Sequence, residues 1–102
     1  MNQAQLMAQV KKMQAEMSKA QDELANTIVS GSAAGGAVTV DVSCDQRVQR
    51  VKIQKEAVDP DDVETLEDLV MVAVNEALRQ ANETSQKRMS SVTGGMRVPG
   101  LM

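Results

Sequence analysis

Two stretches of this chain read as helices, and both are too long for what lies between them. From Asn2 to Asn26 there is neither Gly nor Pro, and Gln, Ala, Lys, Glu and Met dominate, mostly residues with good helix propensity. Leu6, Val10, Met13, Met17, Ala20 and Leu24 recur at alternating steps of four and three, the seam of a helix made to meet another helix. The second stretch opens at Asp59-Pro60-Asp61-Asp62, with a capping Asp, Pro at the first helical position and acid in the first turn. Leu66, Leu69, Val70, Ala73, Val74, Ala77, Leu78 and Ala81 then form one apolar stripe, and the pattern can be extended to Met89 or Val92 before Gly94-Gly95 stops it. At the usual helical rise these stretches run roughly 35 and 45 Å.

Between them the periodicity switches to two. Thr27 to Ser30 is a short β-branched run, and Gly31 to Gly36 reads as a loop between strands. Val38, Val40, Val42 and Cys44 alternate with Thr39, Asp41 and Ser43, a strand with one buried face. Asp45 and Gln46 suit a tight turn. Val51 and Ile53 alternate with Arg50, Lys52 and Gln54, whereas Val48 is out of phase and predicts a bulge or a change of face. The expected elements are a helix over 3–25, strands over 27–31, 37–43 and 47–54, and a helix over 60–92. Together they make one domain over 1–92, with a flexible tail over 93–102.

The fold class is therefore α+β: helix, three-stranded antiparallel sheet, long helix. A compact domain of this size has a radius of gyration of about 13 Å, so the helices should project as arms. Met71 and Val72 are apolar on what should be the polar side of the second helix, and a second apolar surface implies a second contact. A homodimer is expected, two-fold by default, with Leu69, Met71 and Val72 at its interface.

Composition removes most enzymes. The 102 residues include no His, Trp, Tyr or Phe and a single Cys, so the commonest general base and metal ligand is missing, as are rings to stack on unpaired bases. One Cys excludes an internal disulfide and a CxxC site. Cys44, on the buried face with no base nearby in sequence, reads as a structural thiol. Seven of the 14 acidic residues fall between Glu56 and Asp68, but neither their spacing nor a central Gly matches a calcium loop, and acid at a helix start suffices to explain them. Gly31 to Gly36 lacks the Lys of a phosphate loop and leads into a strand rather than a helix. No catalytic residue, metal, cofactor or small-molecule substrate is expected. No stretch approaches a membrane span and there is no secretion signal at the N-terminus, so no membrane partner is expected and the cytoplasm is the expected location.

The net charge of −3 argues at face value against a nucleic-acid partner. Setting the acidic cluster aside leaves 11 basic against seven acidic residues. Arg47, Arg50, Lys52 and Lys55 follow one another without an intervening acid, Lys11 and Lys12 lie in the first helix, and Lys87 and Arg88 lie near the end of the second. A dimer doubles any basic face.

Residue order is more specific. Leu6-Met7-x-Gln9, Lys12-Met13-Gln14, Met17, Gln21 and Glu23-Leu24 resemble the opening helix of the YbaB/EbfC family of bacterial nucleoid-associated proteins. Ser30-Gly31, Gly36-Ala37-Val38-Thr39-Val40 and Arg50-Val51-Lys52-Ile53 are similar to its strands. Leu66-Glu67-Asp68-Leu69-Val70 with Ala73, Asn75 and Ala77 forms the most specific block, followed by Lys87-x-Met89, Val92, Gly95-Met96 and Val98-Pro99-Gly100. The chain departs from the family pattern in starting almost at the first helix, in having Ser43-Cys44-Asp45 at the turn, and in lacking aromatics in the second helix.

The resemblance implies an intertwined dimer with a shared β-body and tweezer-like helical arms. It implies binding to double-stranded DNA, a change in DNA conformation, and roles in nucleoid organisation and gene regulation. The family's DNA contacts are attributed to the arms; Lys12 and Lys87 occupy the matching basic positions, and Lys11, Lys19 and Arg88 join them on charge alone. The alternative is an adaptor to recombination or replication machinery that uses the Met-rich arm.

Overall fold

The structure, a computed structural model, describes residues 2–93. Beyond its first residue, the tail expected over 93–102 lies outside them, as does the Gly95 to Gly100 part of the resemblance. Helix α1 spans Gln3–Ala25, strand β1 Ile28–Ala33, β2 Val38–Ser43, β3 Arg47–Ile53 and helix α2 Val63–Thr93, with short 3-10 turns at Ala34–Gly36 and Lys55–Ala57. The three strands form one antiparallel sheet in the order β1-β2-β3.

Capping residues set the ends of the helices. The Asn2 side chain accepts from the Gln5 amide at 2.8 Å and opens α1. At its far end Asn26 Nδ2 donates to the Asp22 carbonyl and Thr27 Oγ1 to that of Glu23, which satisfies carbonyls the helix leaves unpaired. Helix α2 begins at Val63 rather than at residue 60. Asp59 accepts from the amide of Asp61 at 2.9 Å and so closes a separate turn, while Asp62 accepts from the Thr65 hydroxyl at 2.6 Å and its amide at 3.4 Å. Two capping acids three residues apart each hold a turn, and the later one starts the helix.

One face of the sheet packs under α2. Val38, Val40 and Val42 on β2 are 0% exposed and join Ala33, Leu24, Cys44, Ala73, Ala77 and Ala81 in one core, with Val29, Leu66, Leu69, Val70, Val74, Leu78 and Met89 half-buried against it. Each buried Val contributes about 1.5–3 kcal/mol at most. Ala73, Ala77 and Ala81 present a small ridge, and Gly31 on β1 lies beneath it. A β-carbon on Gly31 would sit 2.2 Å from the Ala77 amide nitrogen and 2.5 Å from the Ala73 carbonyl oxygen. The expected loop over Gly31 to Gly36 is therefore strand through Ala33: Gly31 is there for close approach to a helix, not for a turn. The turn is confined to Ala34–Gly36, where φ is positive at all three residues and reaches 99° at Gly36.

The expected irregularity at Val48 is a bulge. Asp41 pairs with Arg50 but Val42 with Val48, so Gln49 is the extra residue. The bulge brings Val48 onto the same face as Val51 and Ile53, which pair with Val40 and Val38. Helix α2 covers β1 and β2 but not β3, and this apolar stripe is 51%, 46% and 38% exposed. The turn that follows β2 is held by a hydrogen bond from Ser43 Oγ to Asp45 and one from the Gln46 amide to the Ser43 carbonyl at 2.9 Å.

The helices outrun the sheet, as their lengths require. The radius of gyration is 19.6 Å and the molecule measures 70 × 26 × 17 Å. Helix α1 packs on α2 through its second half, where Ala20 and Leu24 are buried and Met13 and Met17 half-buried, while residues 3–12 are exposed on every side.

Candidate nucleic-acid interface

The seam of α1 turns Met13, Met17, Ala20 and Leu24 towards the body, so Lys11, Lys12 and Lys19 fall on the solvated side. All three are exposed, and none forms an ion pair among the described residues. Lys87 near the end of α2 is likewise exposed and unpaired. Arg88 differs. Its Nε donates to Glu23 at 2.8 Å and its Nη1 to Ser91 Oγ at 2.9 Å, so it clasps α2 to α1 where the two helices leave the sheet. The Arg88 guanidinium holds the Glu23 carboxyl below its usual range, and Glu23 in turn raises Arg88.

The third base of α2 is also engaged. Arg79 reaches Glu76 and Glu83, both at 2.6 Å. Hydrogen bonds to Glu76 raise its pKa, and Arg79 lowers that of Glu76. Of the basic positions in the helices, Lys11, Lys12, Lys19 and Lys87 remain available to an external anion. Of the expected interface residues, Met71 and Val72 are exposed, while Leu69 packs against the chain's own core.

Cys44 is buried, and burial raises its pKa although Thr84 hydrogen-bonds to it. A thiol held protonated is a poor nucleophile. Among the described residues no group of three or more His, Cys, Asp or Glu is arranged to hold a metal, and no helix is long and apolar enough to cross a membrane. The depression along α2 between Glu83, Gln86, Lys87 and Ser90 is shallow and open to solvent.

Sequence reasoning did not single out the apolar stripe of β3. The phase break at Val48 was its signal, but only the pairing shows which way the bulge turns the residue and that no helix covers it.

The model of the YbaB/EbfC DNA-binding family matches residues 1–96. The chain is 50% identical over 97 residues to a nucleoid-associated protein of Chloroflexus aurantiacus, covering 95% of this chain and 97% of that one. It is 52% identical over 100 residues to a nucleoid-associated protein of Alkaliphilus metalliredigens, covering 98% and 88%. Its fold is similar to the crystal structure of an uncharacterized Helicobacter pylori protein, with a TM-score of 0.76 at 22% identity over 85% of this chain and 91% of that one. A match that runs through both helices and all three strands leaves one assignment: the chain belongs to the YbaB/EbfC DNA-binding family.

Proposed function

We propose that the protein is a non-enzymatic, intertwined homodimer that grips double-stranded DNA between its helical arms, alters the path of the duplex, and so contributes to nucleoid organisation and gene regulation in the cytoplasm. The observation that carries this reading is the family match over residues 1–96, joined to arms that project beyond the sheet with unpaired lysines on them. Lys12 and Lys87 make the principal phosphate contacts, with Lys11 and Lys19 beside them. Arg88 contributes by fixing the angle between the arms, because Glu23 already holds it. The second chain covers Val48, Val51 and Ile53 together with Met71 and Val72, all of which one chain leaves exposed or nearly so.

Phosphate contacts position a protein on DNA without reading its sequence. Each neutralised phosphate adds about −0.9 to the slope of log affinity against log salt. Lys12→Ala with Lys87→Ala removes four charges from a dimer, so the slope should fall by up to ~3–4 units, equally on unrelated sequences. An unchanged slope in the double variant would remove the arms from the interface. The adaptor alternative draws on Leu6, Met7 and Val10, exposed on the free half of α1; an adaptor that makes no DNA contact gives no gel shift with duplex at low salt.

A further inference from the structure

Charge is divided between the elements in a way that the arms alone do not explain. In α1, Lys11, Lys12 and Lys19 are matched by Glu16, Asp22 and Glu23. In α2, Arg79, Lys87 and Arg88 face an excess of acid in Glu64, Glu67, Asp68, Glu76 and Glu83. Strand β3 carries Arg47, Arg50 and Lys52 and no acid. It is the one element of regular structure, among the described residues, with a net positive charge.

The direction of those side chains follows from the register. Val38, Val40 and Val42 face α2, as does the missing β-carbon of Gly31, so the alternate residues face away. This outer face carries Ser30 and Ser32 from β1, Thr39 and Asp41 from β2, and Arg50 and Lys52 from β3, with Lys52 opposite Thr39 and Arg50 opposite Asp41. Neither helix covers it: Ser30, Ser32, Arg50 and Lys52 are exposed. Asp41 is the face's acid, and Ser30 Oγ donates to it at 2.6 Å. No ion pair joins Asp41 to Arg50 or Lys52 among the described residues. Arg47 lies at the end of the row and leans on Asp45 at 3.7 Å.

We propose that the outer face of the sheet is a second contact surface for duplex DNA, on which Arg50 and Lys52 hold backbone phosphates and the hydroxyls of Ser32 and Thr39 donate to neighbouring phosphate oxygens. Arg, Lys, Ser and Thr are the side chains that make such contacts. Arg50 and Lys52 stand two residues apart, about 6.8 Å along the strand, close enough to engage one stretch of backbone. The two faces of β3 then serve different partners: Val48, Val51 and Ile53 meet the second chain, and the basic row meets DNA. A duplex held by arms and sheet together has more than one point of support, which is what changing its path demands. The inference rests on the DNA-binding reading above and assigns it a further surface.

The test is a set of salt titrations of the full chain on a fluorescent duplex, comparing wild type with Arg50→Gln/Lys52→Gln, with the charge-conserving Arg50→Lys/Lys52→Arg, and with Arg79→Gln as a charge control away from the face. Both substituted side chains are exposed, and thermal melts check that each variant keeps its fold. The expected result is a slope reduced by about 1.8 for each subunit whose sheet lies on the duplex. Between 50 and 200 mM salt, that makes the loss of affinity about twelvefold smaller than in wild type. The charge-conserving variant and Arg79→Gln should keep the wild-type slope. If wild type binds with a steep slope and the double Gln variant matches it, the surface is overturned and the arm reading stands. A slope change equal to that of Arg79→Gln, residue for residue, means net charge rather than contact and also overturns it. So does a variant that merely aggregates with its slope intact, since basic residues then serve only to block strand addition at the edge. If wild type does not bind duplex at all, the DNA reading fails first and takes this surface with it.

Discussion

Gly31 is the residue on which the packing depends most. Its absent side chain lets α2 lie on β1, and a methyl group there meets helix backbone, which cannot rotate away. Gly31→Ala should destabilise the chain at or beyond the top of the ~1–3 kcal/mol range for overpacking, measured as a lower urea midpoint. Gly35→Ala has open space around it and a φ of +66°, so it should cost only the ~1–2 kcal/mol of a left-handed residue. Equal effects at the two positions would contradict this account. At Cys44, replacement by Ser should cost about 1–3 kcal/mol and leave DNA affinity unchanged. The native thiol should react with a disulfide reagent only as the protein unfolds, and rapid labelling of the folded chain would show it accessible and ionised. The burial of Cys44 was legible in its alternation with three valines. The role of Gly31 was not, because a glycine in a small-residue run looks the same whether it turns the chain or admits a helix.

At the scale of elements, both helices, the number of strands and an irregularity at Val48 could be read from periodicity; that it is a bulge came from the pairing. The start of α2 at Val63 could not, since Asp59 and Asp62 are equally good caps and only the hydrogen bonds decide between turn and helix. The pairing of Arg88 with Glu23 was equally hidden, because they are 65 residues apart and meet only after the sheet brings α1 back to α2. That pair has a measurable pH signature. Glu23 is held below its ordinary 4.5 in the folded chain, first by the Arg88 hydrogen bond. Its contribution is therefore complete above that value and lost as pH falls through the lowered one. Glu23→Gln should lower the melting temperature slightly at neutral pH, as befits an exposed pair, and the difference from wild type should vanish in acid. A difference that persists unchanged however far the pH is lowered while the chain stays folded would mean that the carboxylate charge is not what clasps the arms.

The whole molecule has more apolar surface than one chain can cover: the β3 stripe, Met71, Val72, and the free half of α1. On the dimer reading a second copy covers the β3 stripe with Met71 and Val72, and the chain should sediment at twice its 11.0 kDa across micromolar concentrations. Val51→Asp, at a position exposed in one chain, should shift the species towards single mass or cost folding and assembly together, since obligate dimers seldom leave a folded monomer. A wild-type chain that sediments at 11.0 kDa with full helical content would contradict the dimer. The projection of the arms was legible from helix length alone. Which cations remain available on them was not, because Arg79 and Arg88 are withdrawn by partners that only the folded chain supplies. Whether this acidic protein holds duplex DNA through phosphate contacts is decided by equilibrium binding of the wild-type protein to two duplexes of unrelated sequence over a range of salt. Phosphate contact gives binding at low salt and a linear fall of log affinity with log salt of several units, the same for both sequences. No binding to either duplex at low salt, or an affinity indifferent to salt, would contradict it.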